Sequence, residues 1–319
     1  MKDLIPPFDW QTVLVQPWTQ NLSITIWIVL MGFLVTAACG LVGNYLLLRR
    51  MALVGDAISH SILPGLVVAF LIFKHSTVWI MFGGALAAGL LTVFLIEFIH
   101  GQTRVKPDAA TCIAFTTLFA IGVALMSMLE TKGNFHIDAE CLLYGEIAFV
   151  ALEPPAVWNG WVLGPPSVLR MAGVLGAIAL AIAVFYKELL VTSFDAGLSK
   201  SLGMKTGLWH YGLMGALALV IVSAFEAVGA ILAIAMLIVP PMFAGQLSDR
   251  LPIRLGLTVL HAALSALLGY HLSVWLNCSA AGAMVVVGAI LFTAAWSLDL
   301  ICKAIRRTDH PDALAETAG

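Results

Sequence analysis

The chain has 319 residues, of which 61% are hydrophobic and only 11% charged, with 16 basic against 18 acidic side chains. A mean hydropathy of +0.99 excludes a soluble globular domain and marks an integral membrane protein. The formal net charge of -2 provides no basic footprint for nucleic acid.

Residues 1–21 carry Asp3, Pro6, Pro7, Asp9, Trp10 and Trp18 where a cleavable signal peptide would have a basic start and a short apolar core. They read as an interfacial segment with aromatics at headgroup level. Spans follow at Leu22 to Leu48, Ala52 to Phe73, Val78 to Ile99, Ala109 to Leu129 and Met171 to Tyr186. Four more are expected at Trp209 to Phe225, Ala227 to Gln246, Leu255 to Leu276 and Ala280 to Ile301. This gives an all-α polytopic bundle of about nine spans over residues 22–302 and a tail over 303–319. The five cysteines (Cys39, Cys112, Cys141, Cys278, Cys302) are scattered without a C-x-x-C pair and read as small hydrophobes.

Lysine and arginine fix the orientation. Lys303, Arg306 and Arg307 hold the tail in the cytoplasm, and alternation puts Arg250/Arg254, Lys200/Lys205, Arg104/Lys106 and Arg49/Arg50 on the same side. The N-terminus and the long connection from Glu130 to Pro166 then lie outside, with Lys74 and Lys132 as the minority there.

Two spans are expected to be irregular, which membrane depth tolerates only beside protein or a water-filled cavity. The apolar run from Tyr211 to Gln246 would make a helix about 54 Å long, too long for a hydrocarbon core of about 30 Å. A break is expected at Phe225 to Gly229, with Glu226 at the junction and Pro240-Pro241 ending the second half. The other is the second span, which carries Asp56 and His60. Ionisable groups there are costly and face a pore or a partner. Four residues apart, the two share one helix face. Pro64 has no N–H for the His60 carbonyl, which leaves that oxygen free as a third donor. The bland alternative is an Asp–His pair that merely caps a kinked helix.

Between the fifth and sixth spans, Asp195 reads as the N-cap and Gly203 as the C-terminal glycine of a short cytoplasmic helix, with Phe194, Leu198 and Leu202 on it. It is either a docking element or an ordinary connecting turn. Glu226 can line a path or cap the second half-helix. His261, inside an apolar span, reads as a core histidine, and His100, His210 and His271 sit at span ends.

The residues resemble the permease subunits of manganese/zinc/iron-type ABC importers. The family pattern R-R-[MS]-x3-G-D-[AT]-[IL]-[SA]-H-x2-L-P-G is matched by Arg49, Arg50, Met51, Gly55, Asp56, Ala57, Ile58, Ser59, His60, Leu63, Pro64 and Gly65. The block from Glu226 and Gly229 to Pro240-Pro241 is similar to the family's broken pore-lining helix, apart from the second proline. Phe194 to Gly203 resembles its coupling helix, with Ala196-Gly197 where Pro-Glu is common. Asp138, Glu140 and Glu146 fall in a segment like the external entrance of members assigned to manganese or iron.

The resemblance implies a type II importer permease in the bacterial inner membrane, surrounded by lipid. Its partners would be a second copy or a sister permease, cytoplasmic ATP-binding subunits on the coupling helix and an extracytoplasmic metal-binding protein. The chain has no G-x-x-x-x-G-K-[ST], so ATP hydrolysis belongs to a separate polypeptide and this subunit is not an enzyme. No cofactor is expected to stay bound. Carboxylate and imidazole donors suit Mn²⁺ (favoured), Zn²⁺ or Fe²⁺ as the transported ion, and Asp56 and His60 from each of two permeases would supply four ligands. The rival is a secondary metal transporter driven by an ion gradient. A membrane metalloenzyme is disfavoured because H-E-x-x-H is absent.

Overall fold

The computed structural model describes residues 6–74, 77–130, 146–158 and 161–309. In chain order its helices are α1 (Leu22–Leu48), α2 (Leu53–Phe73), α3 (Val78–Gln102), α4 (Pro107–Glu130), α5 (Pro166–Val184), α6 (Tyr186–Phe194), α7 (Ala196–Ser201), α8 (Thr206–Leu247), α9 (Leu251–Leu276) and α10 (Ala280–Asp309). All but α6 and α7 are long and apolar enough to cross a membrane. In hydrocarbon the backbone must bond within its own segment, and apolar runs of this length therefore fold as helices. The last helix runs on to Asp309, past the boundary expected at residue 302.

The 42-residue α8 is one element by hydrogen bonding, yet Gly229 inside it has φ 74° and ψ 174°. That backbone region is open essentially to glycine alone. Straight, the helix would span about 63 Å. Its two ends nevertheless lie at one end of the bundle. His210, near its start, has Nδ1 3.3 Å from Arg49 Nη1. Near its finish Gly245 abuts the guanidinium of Arg254, and one turn along α9 Thr258 Oγ1 accepts from Asn44 at 2.9 Å. Asn44 is little more than a turn before Arg49. The helix therefore folds back at Gly229 into halves over 206–228 and 230–247. At about 34 and 27 Å, each is long enough to cross. The expectation of nine spans changes in form: among the described residues eight helices make nine crossings.

The basic residues after α1, α3 and α7 and before α9 gather at this same end, which the positive-inside rule makes cytoplasmic. The chain crosses the membrane several times, with this end inside. α1 lies at the centre, with Tyr45, Leu46, Val35 and Ala38 sealed among neighbours that include α5, the returning half of α8, and α9. Outside, α4 to α5 is bridged by a 3-10 turn over Ile147–Leu152 and a two-stranded antiparallel hairpin, β1 (Ala156–Trp158) with β2 (Trp161–Gly164). This hairpin modifies the all-helical expectation in the connection alone. At the N-terminus, turns over 11–19 pack on the outer end of α9, where Trp275 Nε1 donates to the Pro6 carbonyl at 3.0 Å. Phe8 and Trp10 are left exposed.

Candidate functional site

Asp56 is one turn into α2, and His60 one turn further. His60 Nε2 lies 3.3 Å from Asp56 Oδ1, and both side chains are about a third open or less, at 26% and 34% exposure. Their neighbours Ala57, Ile58, Ser61 and Ile62 are buried, so the pair looks out from the one open face of α2. Phe115 of α4 stacks on the imidazole at 5.9 Å and Phe119 meets it edge-on at 5.8 Å. The two phenyl rings wall the imidazole on this side.

The opposite face of α2 is held by close approach to α3. A Cβ on Gly65 would collide with the Gly84 carbonyl, and one on Gly84 with the Gly65 carbonyl. Two glycines thus let backbone meet backbone, which favours Cα–H···O contact. Pro64 is buried against Gly122 of α4. Contrary to expectation, α2 remains helical through Pro64. Packed neighbours on both sides support the helix there, as transmembrane helices allow. The His60 carbonyl still lacks its usual donor, because Pro64 has no N–H.

Glu226 and Gly229 do not join this pair. Gly89 of α3 lies against Ile58 and Ala218, and Glu226 is two turns beyond Ala218, a rise of about 12 Å toward the outside. There Arg170 of α5 sets Nη2 2.7 Å from both Glu226 oxygens. The pair stands on the wall of a cavity of about 290 Å³ shared with Trp79, Ser167 and Ser223. Among the described residues no three His, Cys, Asp or Glu side chains converge as a metal site. Asp56 and His60 are thus a pair of side-chain donors with no third His, Cys, Asp or Glu beside them among the described residues.

His261 is fully buried, with Nε2 3.1 Å from the Gly288 carbonyl. It sits within α9 and the core, in keeping with a structural histidine, although Nδ1 has no partner among the described residues. His271 bonds the N-terminal turns through the Val13 carbonyl and Trp18. Of the expected entrance residues, Glu146 is half-buried just before the 3-10 turn. Asp138 and Glu140 lie outside the described residues, as do Lys132, His136 and Cys141.

At the cytoplasmic end, Asp195 Oδ1 accepts from the backbone N–H of Gly197 at 2.8 Å and of Leu198 at 2.9 Å, capping α7. The helix closes with Gly203 N–H on the Lys200 carbonyl and Met204 N–H on that of Ser199, with Gly203 at φ 74°, a Schellman ending. Phe194, Leu198 and Leu202 are 60%, 51% and 62% exposed at four-residue spacing. Phe194 ends α6, Leu198 lies in α7 and Leu202 is its C-cap, so three large apolar side chains stand exposed around the capped helix at the cytoplasmic end.

Sequence reasoning misses the group that ties this element to the bundle. Arg49, between α1 and α2, donates from Nε to Ser193 Oγ at 3.1 Å and from Nη2 to Thr192 Oγ1 at 3.1 Å. Its Nη1 meets His210 Nδ1, and His210 Nε2 lies 2.8 Å from Glu97 Oε1 of α3. Burial draws the Arg49 pKa below its ordinary value. The available signals were the charge itself and the place of Arg49 at the head of the R-R-[MS]-x3-G-D pattern that holds Asp56.

Residues 21–298 match the model of the ABC 3 transport family. The chain is 44% identical over 275 residues to the manganese transport system membrane protein MntD of Bacillus subtilis (strain 168), covering 86% of this chain and 92% of that protein. It is 38% identical over 283 residues to the zinc transport system membrane protein TroD of Treponema pallidum (strain Nichols), covering 89% and 76%. Among solved structures it resembles PsaBC from Streptococcus pneumoniae in complex with Fab, with TM-score 0.72, 31% identity and coverage of 89% and 94%.

Proposed function

The chain belongs to the ABC 3 transport family, and from that premise we propose that it is the membrane permease subunit of an ATP-driven importer of a divalent transition metal, with Mn²⁺ favoured and Zn²⁺ or Fe²⁺ also accommodated. The observation that carries the metal reading is the Asp56–His60 pair on the open face of α2. Carboxylate and imidazole bind borderline divalent ions, and the absence of thiolate keeps the site weak enough to release its cargo. Names of relatives favour manganese over zinc.

Half a shell needs a second half. A second permease, identical or a sister subunit, facing this one across a two-fold axis would add its own Asp and His and give a four-donor site in the interface. Cytoplasmic ATP-binding subunits dock on the Phe194, Leu198 and Leu202 stripe, because the chain carries no P-loop of its own. An extracytoplasmic metal-binding protein delivers the ion at the outer end, where Asp138, Glu140 and Glu146 supply negative charge. Glu226, Gly229 and Pro64 serve the path by shaping helices, with Glu226 at its outer end.

The test is uptake of radiolabelled Mn²⁺ by proteoliposomes containing the whole complex. Asp56→Asn and His60→Ala are each expected to reduce uptake to background while the subunits still co-purify, since an incomplete shell does not replace the ion's hydration. Transport near wild type in both assembled variants would refute the site.

A further inference from the structure

We propose that Arg49, His210 and Glu97 form a hydrogen-bonded strut that carries displacement of the docking helix α7 to the helices around the metal pair, making Arg49 and His210 positioning residues of transport. The proposal rests on the importer reading above. Four segments are linked through Arg49 and, beyond it, His210. Thr192 and Ser193 end α6, within three residues of the Asp195 cap of α7. His210 begins the outgoing half of α8, and Glu97 lies near the cytoplasmic end of α3. Arg49 itself closes α1, where the turn through Arg50 at φ 57° leads into α2.

Proton placement gives the chain a direction. A guanidinium only donates, so His210 Nδ1 accepts from Arg49 and the ring proton sits on Nε2, facing the Glu97 carboxylate. The imidazole is therefore a two-ended connector, accepting at one atom and donating at the other. Apolar contacts between helices slide with little directional preference. The planar fork of an arginine with three fixed acceptors does not. A shift of α6 and α7 driven from the cytoplasm must drag Arg49. Arg49 in turn moves the entry to α2, seven residues before Asp56, together with α8 and α3. α3 is bound to α2 through the Gly65–Gly84 crossing.

The experiment uses the complex purified with its ATPase and reconstituted in proteoliposomes. ATP hydrolysed and radiolabelled Mn²⁺ imported are measured on the same sample, giving ATP spent per ion. His210→Leu breaks both ends of the connector and is expected to raise that ratio at least about fivefold, the lower end of ordinary coupling between sites. His210→Gln can accept through its amide oxygen from Arg49 and donate through its amide nitrogen to Glu97, and is expected to stay close to wild type. A wild-type ratio in His210→Leu overturns the strut. Equal uncoupling in Leu and Gln variants overturns it too, because ring shape rather than hydrogen bonding would then matter. If His210→Leu does not assemble, Arg49→Lys decides by the same readout. A single ammonium cannot keep all three acceptors, so the ratio should rise, and an unchanged ratio refutes the proposal. A wild-type complex that hydrolyses ATP without importing Mn²⁺, Zn²⁺ or Fe²⁺ would instead defeat the importer reading.

Discussion

Arg170 places one nitrogen between both oxygens of Glu226, and the two charges cancel at the outer edge of the bundle. Because Glu226 is 44% exposed, the pair belongs near the solvent-screened limit of ion-pair energies. Arg170→Met is expected to cost about 1 kcal/mol, read as a small drop in melting temperature of the detergent-solubilised protein. A large loss would mean that the arginine holds the hairpin at Gly229. In the sequence Glu226 reads as a lone carboxylate at a break, since its partner lies 56 residues away. Asp56 and His60 are legible because both belong to one helix turn, where spacing alone dictates proximity. The same contrast explains Arg49: its acceptors are 143, 144 and 161 residues distant, beyond any local pattern.

Among the elements, the reversal in α8 hangs on one residue. Any side chain at Gly229 must adopt φ 74° with ψ 174°, and Gly229→Ala is expected to cost about 2–3 kcal/mol, visible as lower yield and thermal stability. Wild-type stability in that variant would show that the bend can relocate. The docking helix makes a second prediction. Leu198→Asp with Leu202→Asp should abolish co-purification of the ATPase while leaving the permease folded, because both side chains are exposed and carry no core packing. Unchanged association would remove α7 as the docking surface. Length against bilayer thickness makes the α8 break legible in advance, and cap chemistry does the same for α7. Pro64 misleads, because a proline's missing donor says nothing about neighbours able to keep the segment helical. The β1–β2 hairpin shows in turn chemistry rather than in hydropathy: Asn159-Gly160 stands between two short apolar runs, too short to register as a span.

At the scale of the molecule, nine crossings from eight helices fix both ends of α8 on the cytoplasmic side. In a cysteine-free background, Lys205→Cys and Ser248→Cys should both react with a membrane-impermeant thiol reagent from the cytoplasmic face and neither from outside. Opposite accessibility would mean that α8 crosses once. The reversal also bears on how the chain is made. Between Lys205 and Arg250 the sequence contains no lysine or arginine, so neither half of α8 carries its own topogenic charge. During synthesis the outgoing half has nothing to anchor its far end, and the returning half has nothing to start from. The two must enter the bilayer together as a helical hairpin, held at its base by the flanking cations. An arginine introduced beside Gly229 would compete with those cations for the cytoplasm and strand the hairpin at the translocon, before any metal or ATPase had been met.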